Sequence, residues 1–218
     1  KNIFSLLLLT TFSVFSQNAT ETNKDSIQPL SFQGYGEVYY GYDSSNSTNN
    51  EKSNFLYNHK RNNEININLA FVKASFNQKQ VRANAALMLG NYGQYNLSTE
   101  PNWAQFIFEA NVGYKVSKKQ NIWLDAGIMP SHIGFESAIS SDNWTLTRSI
   151  LAENSPYFLA GAKLGYAPTE KLSLTVLYCN GWQRIQRVSG NSLPSFGTQL
   201  TYKTTKNTTL NWSTFVGT

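Results

Sequence analysis

The chain is poor in the residues on which most protein chemistry depends. Cys179 is the only cysteine among 218 residues, so neither an intrachain disulfide nor a cysteine-based zinc site can form. Two histidines, His59 and His132, are too few for a histidine metal cluster. Charged residues make up 14%, against about 25% in an average soluble domain, which is too little to cover a solvated globule. No apolar run of about 18 residues follows Gln17. With a mean hydropathy of −0.38, this excludes a helical membrane protein. The Gly-x-Ser-x-Gly nucleophile elbow is also missing. Ser131-His132, with Asp125 or Asp142, does not replace it, because a triad is defined by spatial geometry and adjacent side chains diverge. An enzymatic role is not expected.

What the chain has in quantity is aromatics, with 12 Tyr, 13 Phe and 5 Trp. Disordered chains lack them. The formal charge is +5, but the basic residues are scattered apart from Lys60-Arg61, Lys118-Lys119 and Arg184/Arg187, so no nucleic-acid partner is expected. At the N-terminus Lys1 precedes an apolar run from Ile3 to Phe15, and Val14 and Ser16 occupy the positions a signal peptidase inspects. Residues 1–16 are therefore expected to be a secretory signal peptide and residues 17–30 a polar, flexible leader.

From Ser31 the hydrophobic period is two. Ile65, Ile67, Leu69 and Phe71 alternate with Glu64, Asn66, Asn68 and Ala70. Val81 to Leu89 alternates with Arg82, Asn84, Ala86 and Met88. The same holds from Phe106 to Lys115, Ile122 to Ile128, Phe158 to Tyr166, Leu172 to Tyr178 and Phe196 to Tyr202. With weaker segments at Phe32–Tyr42 and Thr209–Val216, about nine strands result, most near the roughly 9–11 residues a tilted strand needs to cross a bilayer. Long connections (43–62, 91–105, 130–156, 180–194) alternate strictly with short ones (77–80, 117–120, 167–171, 203–208). Outer-membrane barrels have this asymmetry of short turns and long external loops, and a sandwich has no reason for it.

The expected fold is all-β, an antiparallel transmembrane β-barrel over residues 31–218. A backbone in hydrocarbon must satisfy its hydrogen bonds within a closed sheet, so the apolar face looks at lipid and the face bearing Glu, Asn, Arg, Lys, Asp and Gly looks at a water-filled lumen. Tyr40, Tyr42, Phe76, Phe106, Tyr114, Tyr166, Tyr178 and Tyr202 would form interfacial girdles. Nine is an odd count where bacterial single-chain barrels have even ones, and the final residues read as a strand cut short. The expectation is an N-terminal fragment of a longer barrel.

Several stretches resemble a known family. They are Phe55–Arg61 running into Glu64–Leu69, Val81–Ala86, Trp123-Leu-Asp-Ala-Gly-Ile-Met-Pro-Ser-His-Ile-Gly-Phe-Glu-Ser137, Asp142–Arg148, Glu153–Tyr157 and Asn180-Gly-Trp-Gln-Arg184. They resemble the OmpL-like β-barrel porins of the Bacteroidota, most specifically over Trp123–Tyr157 and more loosely elsewhere from Ser31 onward. The resemblance implies an outer-membrane barrel with a pore function and no catalytic residues.

The segment 130–156 exceeds the roughly 12–15 residues beyond which structureless loops become uncommon. It carries His132, Glu136, Asp142 and Arg148, with a helical turn expected near Leu146–Leu151. With the lumen-facing Glu64, Arg82, Glu109, Lys115, Asp125 and Lys163, it is expected to set a charged constriction, since rings of charge select ions in pores. The same charges could instead form salt bridges that pin the loop. The expected partners are outer-membrane lipid and small hydrophilic solutes, and no cofactor or metal is called for. Two other readings stay open: a barrel used as a surface-binding or adhesion platform, and a secreted β-sandwich binding protein.

Overall fold

A computed structural model describes residues 29–44, 49–191 and 193–217. The expected signal peptide and nearly all of the leader lie outside the described residues. Nine antiparallel strands form one sheet in simple up-and-down order. They are β1 (Leu30–Tyr40), β2 (Ile65–Gln78), β3 (Val81–Leu89), β4 (Ile107–Lys115), β5 (Ile122–Pro130), β6 (Phe158–Tyr166), β7 (Leu172–Cys179), β8 (Ser195–Lys203) and β9 (Thr209–Val216). Each pairs with its sequence neighbours, and β1 and β9 are the sheet's two edges among the described residues. All connections at one end are short and all at the other are long, as the sequence pattern demands. The helix α1 (Asn91–Asn96) and a 3₁₀ turn at Asn102–Phe106 lie in the β3–β4 connection. The helix α2 (Ile150–Glu153) and a 3₁₀ turn at Ser140–Asp142 lie in the β5–β6 connection.

The outward face follows the period-two reading over most strands. Val72, Leu87, Val112, Leu124, Leu164, Val176, Leu200 and Trp212 are exposed. Aromatics collect at both ends of the strands: Tyr40, Tyr42, Phe106 and Tyr178 toward the long loops, Tyr114 and Tyr202 toward the short turns, all exposed. Two such belts at the two rims of an apolar band are what a bilayer-spanning barrel presents.

Two bulges correct the assignment of faces. In β2, Glu37 pairs with Leu69 but Val38 pairs with Ile67, which leaves Asn68 as an extra residue. A one-residue slip sends every following side chain to the other face. Ile65 and Ile67 are therefore exposed, whereas Leu69 and Phe71, expected toward lipid, are buried inside. In β4, Ala86 pairs with Glu109 but Leu87 pairs with Ile107. Phe108 is the extra residue, and its ring stacks on Phe71 at 4.8 Å inside the sheet instead of facing lipid.

A third departure lies at Gly127 and Gly161, which pair across β5 and β6. Their φ angles are +129° and +158°, and a Cβ at either position would meet the Ala110 or Tyr178 carbonyl oxygen at 2.1 or 2.0 Å. Only glycine permits this close approach of strands. Beyond these glycines, Ile128, Phe158 and Ala160, also expected toward lipid, are buried. They join Tyr92, Leu97, Ala104, Tyr157 and Ile185 in one apolar cluster with Leu69, Phe71 and Met88. The polar interior expected along the whole barrel thus occupies only the half nearer the short turns. The half nearer the long loops is filled by apolar side chains drawn from both the strands and the loops.

Candidate functional site: a polar inner face crossed by an inward loop

The polar half is built by register. Arg82 pairs with Gly113, Gly113 with Asp125, and Asp125 with Lys163, so these positions share one face of four adjacent strands. The Arg82 guanidinium donates from Nε and Nη2 to the two Asp125 carboxylate oxygens at 2.7 and 2.6 Å, and it lies 4.3 Å from the centre of the Trp123 ring. Gly113 makes room for this fork, because a Cβ there would lie 2.2 Å from Asp125 Oδ1. Lys73 Nζ binds Glu109 at 2.5 Å. Asn111 donates to Glu109 at 2.9 Å, Asn84 to Asn111 at 3.1 Å, and Ser75 to Asn84 at 2.9 Å. Lys163 has no ion pair among the described residues. Arg82, Asn111, Asp125, Lys163, Thr175 and Gln199 all border one cavity of about 380 Å³.

The connection 131–157 turns inward over this face. At its start, the His132 carbonyl accepts hydrogen bonds from Gln199 Nε2 and from Ser213 Oγ. His132 Nε2 donates to the Thr214 carbonyl at 2.9 Å. That carbonyl can only accept, so Nε2 carries the proton and the partnerless Nδ1 is the bare nitrogen of the neutral ring. Gly197 allows the ring to settle, since a Cβ there would lie 2.7 Å from it. Farther along, Ser140 Oγ donates to Glu37 Oε1 at 2.8 Å. Glu37 also contacts His59 Nε2 and accepts from Asn68 Nδ2 at 3.2 Å, so the bulge residue of β2 helps build the anchor. One loop is thus tied to β8 and β9 at one point and to β1 at the other. It spans the concave face from one sheet edge to the opposite one.

The charges expected at the constriction divide into three groups. Arg82, Glu109, Asp125, Lys163 and His132 come together around the cavity. Glu136, Asp142 and Arg148 line a second cavity of about 350 Å³, between the loop and the wall at Lys73 and Phe108. Two of these three also hold the loop's shape. Glu136 accepts from Ser149 N at 3.0 Å and from Ser149 Oγ at 2.5 Å. Arg148 is buried, donates to the Ala152 carbonyl at 2.8 Å and stacks over Tyr157 at 3.5 Å. The expected helical turn forms, shifted to Ile150–Glu153, and Ser149 caps it. The third group stands apart. Glu64 binds Arg61 at 2.7 Å where the first long loop meets β2, and Lys115 ends β4 opposite Trp123, beside a short turn. Glu37 was missed in the sequence. It sits in one of the two weaker period-two segments, where a carboxylate followed by Val38-Tyr39-Tyr40 gives no sign of facing inward.

Burial holds the His132 imidazole below its ordinary pKa, and the nearby Lys163 charge adds to the effect against the opposing Thr214 hydrogen bond. A released loop would expose a histidine titrating near the ordinary value of about 6.5. Protons then favour the released loop as pH falls through about 6.5, and the effect levels off below the depressed value of the docked form. Proteolysis of the loop at residues 133–157 is expected to accelerate on acidification in the native protein. In His132→Gln that acid-dependent increment should be smaller. An equal increment would mean that His132 is not the titrating anchor.

No curated protein and no solved structure matches the chain. A family model described as "Putative beta-barrel porin-2, OmpL-like" matches residues 29–218, the full extent of the sheet described above. The chain belongs to this family of OmpL-like β-barrel porins.

Proposed function

We propose that the protein is an outer-membrane porin through which small hydrophilic solutes diffuse passively, narrowed by the inward loop 131–157 and the Arg82–Asp125–Lys163 cluster. The observation that carries this reading is the polar band that crosses β3 to β8 in the half nearer the short turns, with charge inside and an apolar band outside. No helix of the described residues is long and apolar enough to cross a membrane, and crossing by strands needs none. Charge on the wall and on the loop supports selection by electrostatics and size. Solutes need no energy coupling, and no step calls for a cofactor. The native protein in a planar bilayer is expected to give discrete conductance steps that are ohmic at low voltage. A correctly inserted protein that produced no steps would remove the pore reading and leave the surface-binding one.

A further inference from the structure

The Asn180-Gly-Trp-Gln-Arg184 stretch takes no part in the lumen cluster. It borders a separate cavity of about 300 Å³ to which all four long loops contribute. Tyr57 comes from the first loop, Tyr95 and Asn96 from the second, Asn154 from the third and Trp182 from the fourth. The loops are fastened to one another around it. Tyr57 N donates to Glu153 at 2.9 Å. Gln183 accepts from Tyr157 N at 2.8 Å and donates to the Asn96 carbonyl at 3.3 Å. Arg184 donates to Thr99 Oγ1 at 2.6 Å. A cavity fixed by cross-loop bonds is preorganised, which lowers the entropy cost of filling it.

The lining tells what would fill it. Tyr57 and Trp182 are 37% and 40% exposed, and Tyr95 is half-buried. Aromatic rings at a polar cavity offer electron-rich faces that suit the C–H face of a pyranose ring. Asn96 is 6% exposed, and its Oδ1 is a buried acceptor without a partner. That oxygen has essentially no accessible surface, so hydroxyl recognition falls to the exposed polar groups of the lining. Ser98 and Asn154 at the same cavity add donors and acceptors of the kind that read a hydroxyl rim. The charged groups are already used internally. Glu153 accepts from Tyr57 N, Asn58 Nδ2 and Tyr157 OH, and Arg184 lies 3.8 Å from Glu100. With Glu153 engaged in this way, the aromatic and hydroxyl-bearing lining favours a neutral ligand. The volume is at the lower end of the roughly 300–1,000 Å³ typical of ligand pockets, which suits a short portion of a chain.

We propose that this cavity is a binding subsite for a neutral oligosaccharide, presented at the long-loop mouth of the barrel. It does not depend on conduction and would serve a non-conducting barrel equally well. The test is calorimetric titration of the folded, detergent-solubilised native protein with maltohexaose, cellohexaose and xylohexaose, with tri-galacturonate as the anionic comparison. At least one neutral probe should bind. Trp182→Ala should weaken it by about tenfold, Trp182→Phe by less, and the lumen variant Arg82→Gln should leave it unchanged. Trp182 also packs on Phe215 at 5.0 Å, so heat-modifiable migration on gels must confirm that each variant is folded. Tyr57→Ala, away from that contact, provides a second loss of binding. The proposal fails if none of the three neutral probes binds, if tri-galacturonate binds more tightly than they do, or if folded Trp182→Ala and Tyr57→Ala both bind as the native protein does.

Discussion

Replacing residues 137–150 by a short Gly-Ser linker is expected to raise single-channel conductance by roughly twofold or more, on the proposed reading that this segment narrows the solute path. The expectation follows from where the loop is fastened. Its start is held against β8 and β9 by the bonds of His132 with Gln199, Ser213 and Thr214, and its middle is held against β1 by Ser140 on Glu37. Between these anchors Ile133, Gly134 and Phe135 border the second cavity together with Lys73, Glu109 and Phe108 of the wall. Excision removes the Ser140 anchor and the Glu136–Ser149 contact but none of the strands. The barrel itself should therefore stay folded and keep its heat-modifiable migration. An unchanged conductance in a folded variant would show that the loop does not occupy the solute path.

Reversing charge at Arg82 is the second large effect. In Arg82→Glu, two carboxylates would face each other where a two-pronged ion pair now sits, and Asp125, with 4% of its side chain exposed, would lose its counter-charge. Breaking a fully buried pair costs about 3–5 kcal/mol. Arg82 is 36% exposed at its side chain, so solvent screening reduces the expected loss to about 1–3 kcal/mol. The functional effect is larger than the effect on stability. The interior cluster of Lys73, Arg82 and Lys163 against Glu109 and Asp125 changes from an excess of positive to an excess of negative charge. The reversal potential in a salt gradient should shift toward cation preference, and an unchanged potential would place Arg82 outside the ion path. The same reversal at Arg148 should act differently. That side chain is buried against Tyr157 and the Ala152 carbonyl, so its loss would loosen the loop before altering the field seen by ions.

Much of this was legible in the sequence. Strict alternation marks a strand whose two faces meet different media, and it placed Arg82, Glu109, Asp125 and Lys163 on one side without any structure. The alternation of long and short connections fixed which end carries the elaborated loops. Two of the three departures have one physical source. Period two specifies a face only while the register is unbroken, and an inserted residue leaves no compositional trace. Asn68 and Phe108 each break it, and the side chains Leu69, Phe71 and Phe108 cross from lipid to interior as a result. Leu, Phe and Ile are equally at home against lipid or inside an apolar cluster, so residue type could not reveal the crossing. The filling of the long-loop half was hidden for a related reason. It arises where Tyr92, Leu97, Tyr157 and Ile185 of the loops meet Leu69, Phe71, Met88 and Phe158 of the strands, and that meeting is set by long-range packing. The inward course of loop 131–157 depends on Glu37 and Gly197, two positions distant in sequence whose roles appear only when the sheet curls around the loop.

The central claim is that the polar face of the sheet is wetted by the solute path and the apolar face by lipid. Cysteine accessibility in a conducting barrel tests it most directly. Lys163→Cys lies on the polar face and Val176→Cys on the apolar face one strand away, and the native Cys179 is fully buried, so it contributes little background. A charged, water-soluble thiol reagent added during planar-bilayer recording should lower the current through Lys163→Cys in steps and leave Val176→Cys unchanged. Current through Lys163→Cys that ignores the reagent, or an equal response at Val176→Cys, would contradict the account.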